Sequence, residues 1–149
     1  MRGRGPATEQ ADEVRLLSIQ QPWAWLIVHG EKRIENRRWR TRYRGPIAIH
    51  ASLAFDHSFA SGRFPLPADA ELPPIATLPR GAIVGVATII DCVAASADPW
   101  FSGPFGFVLA GVRPIEPLPW RGALGLSRLS PEAARMLLAL LVPPASGGE

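Results

Sequence analysis

Cysteine and lysine are almost missing from this sequence. Cys92 is the only cysteine in 149 residues, so the chain by itself forms neither an internal disulfide nor a thiolate metal cluster. This cysteine usage fits a reducing cytosol and predicts a cytoplasmic protein. Lys32 is the only lysine, beside 15 arginines. Either composition alone left this one lysine, or its position needs a compact ammonium group whose pKa can be lowered, which a guanidinium cannot supply.

Long hydrophobic runs are also absent. The longest uninterrupted apolar run, Met136 to Val142, is far shorter than the ~20 residues that a membrane-spanning helix needs. The first residues, MRGRGPATEQADE, lack the apolar centre of a signal peptide. The sequence therefore predicts neither export nor insertion into a membrane.

Proline and glycine, by contrast, are frequent. The 16 prolines and 14 glycines predict many turns and short strands rather than long helices. A chain of this length, with 47% apolar and 19% charged residues, fits one globular domain. We expect a monomeric α+β domain over residues 14–142 between disordered tails at 1–12 and 143–149. Residues 53–80 are irregular, and we expect them to form a mobile cover over one face of the sheet.

Turn residues and hydrophobic periodicity predict the secondary structure. Pro22 begins a short apolar helix that Gly30 ends, and Ser130 caps a C-terminal helix that runs to Val142. The other apolar runs are continuous or alternate with period two, as strands do. The predicted strands are Val14–Ile19, Lys32–Arg37, Ile47–Ser52, Ala82–Val93 and Phe105–Ile115, followed by a glycine-rich loop at Trp120–Leu126. Five or six short strands with a few flanking helices predict a small β-barrel.

The positive charge of the chain is concentrated in residues 31–44, which we call the basic strip. It holds seven basic and two acidic residues, a net charge of +5, so the rest of the chain carries −2. Guanidinium groups bind phosphates bidentately and aromatic rings stack on bases, so the strip predicts binding to RNA or another single-stranded nucleic acid. The candidate binding residues are Arg33, Arg37, Arg38, Trp39, Arg40, Arg42, Tyr43 and Arg44. The alternative is a solvated sheet edge whose arginines discourage pairing with another chain.

Lys32 and Glu35 are the candidate catalytic residues, should the protein be an enzyme. Glu35 is suited to accept a hydrogen bond from an amino group on a base edge, or to act as a general base. The alternative is an ion pair with Lys32, Arg33 or Arg37 that only fixes the sheet. Spacing does not settle whether Lys32 and Glu35 converge, because a bulge or a late strand start would change the phase of the alternation.

The stretch LSIQQPWAWLIVHGEKRIENRRWRTRYRGPIAIHAS closely resembles the ASCH (activating signal cointegrator homology) domain family. The family pattern is a QPWA helix start, then G-x-K-x-x-E-x-R-x-W, then RG before an apolar strand. The later AIVGVATIIDCV, WFSGPFGF and RGALGL segments are similar to the rest of that pattern. The resemblance spans about residues 16–126 and implies a PUA-like β-barrel, a fold associated with RNA-binding modules and RNA-modifying enzymes.

The resemblance also implies several activities, because members of the family differ in function. Some are nucleic-acid-binding modules, one bacterial type is a ribonuclease, and another removes the acetyl group from N4-acetylcytidine. The last type uses a lysine, a threonine three residues later and a distant glutamate. Lys32 matches that lysine, whereas Glu35 stands at the position of the threonine, so a hydrolase acting on RNA or on a modified nucleoside is the alternative to a binding module. A third alternative is a protein-interaction module whose basic strip docks an acidic partner.

The family fold implies a cleft between the basic strip and the glycine loops. The expected cleft-lining residues are Gln20, Gln21, Pro22, Trp23, Asn36, His50, Ser52, Gly103, Phe105, Gly106, Gly122 and Gly125. His50 and Ser52 suggest a base and a nucleophile, but no third member is identifiable, and a core histidine is the alternative. The three histidines have no recognisable metal-ligand spacing, so neither a metal nor a cofactor is predicted.

Overall fold

The computed structural model describes residues 13–58 and 70–141. Both predicted tails and residues 59–69 of the irregular segment lie outside the described residues. A 3-10 helix, Ile75–Thr77, lies in the described part of that segment. The other elements are β1 (Arg15–Gln21), α1 (Trp23–Val28), β2 (Ile34–Arg37), β3 (Gly45–Phe55), β4 (Ala82–Val93), β5 (Phe105–Pro119), β6 (Leu126–Arg128) and α2 (Pro131–Leu141).

The strands of the described residues form one six-stranded mixed sheet. Its order is β2-β5-β4-β3-β1-β6, with β1 parallel to β3 and every other pair antiparallel. The α+β class is confirmed, but the predicted closed barrel is not, because no ladder joins β2 to β6 within the described chain. The two edge strands have only four and three residues, which leaves few backbone groups that could close the sheet.

Side chains on the two faces of the sheet form two hydrophobic clusters. Alternation along β3 sends Ile47 and Ile49 to one cluster and Ala48 to the other. The helix α1 covers the first cluster through Ile27, and α2 covers the second through Leu137. Each helix therefore buries one face of the sheet. Among the described residues, no helix is long and apolar enough to cross a membrane.

The junction of β1 and α1 is held by the side chain of Gln21. This side chain is fully buried, its Oε1 accepts the Trp25 N–H at 2.8 Å, and its Nε2 donates to the Pro79 carbonyl at 2.8 Å. Pro22 is the N-cap of α1 rather than its first helical residue, so the helix begins one residue later than predicted, at Trp23. Gly30 follows the C-cap, and a Cβ there would lie 2.7 Å from the Leu26 carbonyl oxygen, so the helix end needs a glycine.

Of the predicted strands only β4 has its predicted bounds. The strand β1 is shifted toward the C-terminus, to Arg15–Gln21, and β2 begins at Ile34 rather than Lys32. The strand β3 continues to Phe55, beyond its predicted end at Ser52. The strand β5 continues through Pro114 to Pro119, because β2 pairs only with its first four residues. Prolines are tolerated where one edge of a strand is unpaired. The strand β6 was not predicted, since three residues are too few to show a period.

Candidate functional site

A cleft of about 680 Å³ opens between β1, β2 and two loops. We call it the central cleft. Eleven residues selected from the sequence line it: the candidate catalytic residues Lys32 and Glu35, the candidate binding residues Arg37, Arg38 and Trp39, and the expected cleft-lining residues Gln20, Trp23, Asn36, Ser52, Gly103 and Gly125. Eight further residues that sequence reasoning did not select also line it: Ser18, Asp56, Pro99, Trp100, Phe101, Ser102, Ala123 and Leu124.

The central cleft is the gap between two strands that the curl of the sheet brings together. Three strands separate β2 from β1 in the sheet order, yet Arg37 Nη2 donates a 2.6 Å hydrogen bond to the Ser18 carbonyl on β1. The sheet must therefore curl until its β2 edge approaches β1. The Arg37 side chain, and not a backbone ladder, connects β2 to β1. The central cleft lies beside this contact.

Lys32, Glu35 and Arg37 form a chain of charges on the floor of the central cleft. The strand β2 begins only at Ile34, so Lys32 lies in the preceding turn and its Nζ reaches Glu35 Oε1 at 3.3 Å. The other carboxylate oxygen lies 3.2 Å from Arg37 Nε. That nitrogen is buried and its contact lacks hydrogen-bond geometry, so the pair is held by charge alone. Lys32 and Glu35 thus converge, which spacing alone could not establish.

Burial sets the protonation chemistry of Lys32. The residue is only 2% exposed, and its Nζ donates hydrogen bonds to the Ile34 carbonyl and to Glu35. Burial lowers the pKa of Lys32 below its ordinary value of 10.5, and Arg37 lowers it further, while Glu35 raises it in part. The amine is therefore closer to losing its proton than an exposed lysine is, a property that arginine lacks.

Asn36 fixes the loop that forms one wall of the central cleft. Its Nδ2 donates to the Trp100 carbonyl at 3.0 Å, and its Oδ1 accepts the N–H groups of Ser102 and Gly103 at 2.9 and 3.1 Å. Gly103 has a φ of +71°, which glycine adopts without strain. Three hydrogen bonds from one side chain thus position residues 100–103 over the cleft.

Aromatic rings line the cleft on several sides. Trp39 packs edge-on against the buried Phe107, with ring centroids 5.1 Å apart, yet remains 36% exposed. Trp23 Nε1 donates to Asp56 Oδ2 at 2.8 Å, which fixes that ring. Phe101 packs against Gly106, where a Cβ would lie 2.9 Å from the ring. These rings are held in place and accessible from the cleft, as stacking platforms must be.

Some of the lining residues that were not predicted lie in a recognisable sequence motif, and others do not. The WFSGPFGF turn pointed to the family but was not interpreted as a source of cleft-lining aromatic side chains, although Trp100 and Phe101 lie in it. Asp56 follows a strand end in the irregular segment and had no signal. Burial raises its pKa, but hydrogen bonds from Ser58 and Trp23 outweigh that effect and lower the pKa overall.

Most other arginines of the basic strip lie outside the central cleft. Arg33 donates to three carbonyls around the end of α1, including that of Ile27 at 3.0 Å. Arg40 lies over the Phe105 ring, 4.8 Å from its centroid. A second cleft of about 570 Å³, which we call the arginine pocket, contains the rest of the strip. It is lined by Glu13, Arg15, Thr41, Arg42, Tyr43, Arg44 and Pro46.

Tyr43 is part of the wall of the arginine pocket. Its hydroxyl donates to the Pro46 carbonyl at 2.7 Å, and Arg15 lies over its ring at 4.6 Å. Burial, with the negative charge of Glu13, raises the pKa of Tyr43 to about 12. The ring is thus tied down in the pocket wall and away from the central cleft.

The structure places five other expected cleft residues outside the lining. Gln21 and Pro22 are in the β1–α1 junction, and the Phe105 ring is packed against Arg40. Gly106 and Gly122 lie with their backbone close against neighbouring side chains. His50 is 2% exposed and lies behind the cleft rather than in it. Its ring hydrogen-bonds Ser18, at 3.0 Å, and the Trp120 carbonyl, and the serine it contacts is therefore not the suggested Ser52. Within the described chain, no group of three or more acidic, histidine or cysteine side chains is arranged to hold a metal.

Comparison with known proteins gives one family. The ASCH domain model matches residues 17–115. The proteins named "Activating signal cointegrator 1" from Homo sapiens and Mus musculus are each 36% identical over 83 residues, covering 52% of this chain. The matched part is only 14% of the length of each relative.

Solved structures agree with this fold. The crystal structure of ASCH from Zymomonas mobilis has a TM-score of 0.55 at 18% identity and covers 87% of this chain and 96% of that chain. A mutant form of the same protein has a TM-score of 0.54 at 18% identity, over 85% of this chain and 95% of that one. At this identity the likeness shows the fold alone.

Proposed function

This chain belongs to the ASCH domain family, and we propose that it binds single-stranded RNA in the central cleft. A base enters the cleft and stacks on its aromatic rings. The phosphates on either side of that base contact exposed arginines of the basic strip. Arg38, at the mouth of the cleft, and Arg40, beyond it, are exposed.

The observation that carries this proposal is the setting of Trp39. Its indole is exposed in the cleft but anchored against Phe107, and the next residue on each side is an exposed arginine. A fixed ring between two cations matches a base and its neighbouring phosphates, because stacking needs a rigid face and phosphate binding needs guanidinium groups. The Glu35 carboxylate on the floor is an acceptor for a base amino group.

The affinity of a labelled single-stranded RNA for Trp39 variants tests this proposal. We expect Trp39→Ala to weaken binding by about 1–3 kcal/mol, or roughly 5- to 150-fold, because one stacking face is lost. Trp39→Phe, which keeps a ring, should recover part of the loss. Trp25→Ala is the matched control, since Trp25 packs against His29 and does not line the cleft. Equal affinities for wild type and Trp39→Ala would refute the proposal.

A second candidate function is hydrolysis of RNA or of a modified nucleoside, and the burial of Lys32 favours it. A buried amine with a lowered pKa beside a carboxylate is suited to proton transfer. Under this proposal Glu35 orients the amine, and Lys32 passes a proton to or from the reacting group.

Turnover assays separate the second candidate from the first. RNA cleavage and N4-acetylcytidine deacylation would be measured for wild type, Lys32→Arg and Glu35→Gln. An enzyme that uses Lys32 should lose about 10²–10⁴-fold in rate in both variants while RNA affinity changes little. If wild-type protein binds RNA but turns over neither substrate, the hydrolase candidate is refuted and only the binding function remains.

A further inference from the structure

Ser18 and His50 form a hydrogen-bonded pair that the proposed RNA site does not use. Ser18 lies in β1 and lines the central cleft, and its Oγ lies 3.0 Å from His50 Nδ1. His50 lies in β3, the parallel neighbour of β1, and the two residues are partners in the register of the two strands. The contact is therefore built into the sheet rather than into a loop.

A backbone carbonyl determines which nitrogen of the neutral His50 ring carries the proton. His50 Nε2 lies 2.8 Å from the Trp120 carbonyl oxygen, which can only accept a hydrogen bond. The proton is therefore on Nε2, and Nδ1 is left with a free lone pair. Ser18 Oγ must be the donor in its contact with Nδ1, the arrangement in which a histidine activates a hydroxyl.

Two further features of the pair suit attack on a carbonyl group. The Ala123 N–H donates a long hydrogen bond of 3.4 Å to Ser18 Oγ, so a backbone donor lies beside the hydroxyl and would be available to a developing oxyanion. Gly122 lets this loop approach, since a Cβ there would lie 2.8 Å from His50 Cε1 and 3.0 Å from Ser18 Oγ. The cleft beside the hydroxyl has the volume for a small acyl group and its leaving group.

We propose that Ser18 is a nucleophile activated by His50, and that it takes acyl groups from activated esters in the central cleft. Ser18 Oγ bonds to the carbonyl carbon while His50 Nδ1 accepts the hydroxyl proton. The bond between the carbonyl carbon and the leaving-group oxygen then breaks, and that oxygen takes the proton from Nδ1. Water afterwards attacks the acyl carbon, His50 accepts a proton from that water and returns it to Ser18 Oγ, and a carboxylic acid is released.

This activity differs from both functions proposed above. It uses neither the Lys32 amine nor the Glu35 carboxylate, and it does not require RNA. The group that accepts the His50 Nε2 proton is the neutral Trp120 carbonyl and not a carboxylate. His50 is therefore less strongly polarised than the histidine of a triad with an aspartate. We therefore expect slow turnover with a readily trapped acyl-enzyme.

A fluorophosphonate probe tests the proposal on the full chain. The Ser18 oxygen would form a bond to phosphorus and fluoride would leave, so intact-mass measurement should show one adduct per chain. Peptide mapping should place that adduct on Ser18. Ser18→Ala should abolish it, and His50→Gln should slow it by about 10²–10⁴-fold, the usual contribution of a general base.

Ser127→Ala is the matched control, because Ser127 lies on the neighbouring strand β6 and does not line the cleft. It should label like the wild type, and thermal melts of all variants would verify folding. With p-nitrophenyl acetate, wild-type protein should release a burst of about one equivalent of nitrophenol. No adduct, an adduct mapped to Ser52, or a folded His50→Gln that labels at the wild-type rate would each overturn the proposal. Mapping on the wild type decides the matter even where a variant fails to fold.

Discussion

At the scale of single residues, Glu35 compensates the buried charge of Lys32 and the partly buried charge of Arg37. Its carboxylate contacts Lys32 on one side and Arg37 on the other, and the carboxylate itself is largely shielded from solvent. We expect Glu35→Gln to lower the free energy of unfolding by about 3–5 kcal/mol at neutral pH, because it leaves a buried ammonium without its counter-charge. Denaturant titration measures this loss, and Glu116→Gln, at an exposed position on β5, is the control.

The same variant should respond to pH in a defined direction. The folded-state pKa of Lys32 lies below 10.5, and removal of Glu35 lowers it further because Glu35 raises it in the wild type. Between that lowered pKa and 10.5 the unfolded chain binds more protons than the folded one, so stability rises with pH. The deficit of Glu35→Gln against wild type should therefore shrink at mildly alkaline pH. A deficit that grows with pH would contradict the burial of a charged Lys32.

Tyr43 offers a spectroscopic test, because it is the only tyrosine in the chain. Absorbance of tyrosinate should give a midpoint near 12 in the folded protein and near 10.0 after denaturation. The folded chain keeps a proton that the unfolded chain releases, so the contribution of Tyr43 to stability is lost as pH rises from 10.0 to about 12. A folded-state midpoint near 10.0 would contradict the burial of this hydroxyl near Glu13.

At the scale of elements, Asn36 connects β2 to the wall of the central cleft. We expect Asn36→Ala to release residues 100–103 and to accelerate amide exchange at Ser102 and Gly103 by roughly tenfold or more, since their acceptor is lost. Hydrogen–deuterium exchange with mass spectrometry measures this.

Asn36→Asp is the matched variant for that experiment. It retains an acceptor oxygen for both N–H groups and loses only the donor to the Trp100 carbonyl. Exchange at Ser102 and Gly103 should therefore stay near the wild-type rate in Asn36→Asp. Equal acceleration in both variants would mean that the loop is held by something other than the side-chain oxygen.

The elements that could be predicted from the sequence are those whose pattern is local. The strand β4 has its predicted bounds, because a continuous apolar run between turns needs no partner to identify it. The strand β6 forms only by pairing with β1, and β5 passes through prolines only because one edge is unpaired there. Their extent depends on neighbours that sequence period does not reveal.

The same limit applies to the candidate site. Residues of the basic strip near β2 reach the cleft as predicted from the resemblance, because the motif and the strand are contiguous. The sequence suggests the nearby Ser52 as the partner of His50, but the serine that contacts it is Ser18, which the parallel pairing of β1 and β3 brings alongside. Asp56 reaches the cleft through its bond to Trp23, a contact between segments 33 residues apart.

At the scale of the whole molecule, arginines of the basic strip line both the central cleft and the arginine pocket. Arg38 lines the first and Arg42 the second, with the exposed Arg40 between them in the chain. For single-stranded RNA, each neutralised phosphate adds about −0.7 to the slope of log affinity against log salt concentration. Replacing all three by alanine should therefore flatten the slope by about 2.

A control variant separates the effect of these arginines from that of general positive charge. Arg135 lies on α2, which covers the other face of the sheet, and Arg135→Ala should leave the slope unchanged. An unchanged slope in the triple variant would instead favour the interpretation that the basic strip protects a sheet edge.

The position of a bound base tests the central claim most directly. Single-stranded RNA that carries 4-thiouridine would be cross-linked to the full chain by near-ultraviolet light, and the cross-linked peptides would be identified by mass spectrometry. We expect cross-links to Trp39, Trp100 or Phe101, which line the central cleft, and their loss in competition with unlabelled RNA. Cross-links confined to the arginine pocket or to α2 would contradict the claim that the central cleft holds the base.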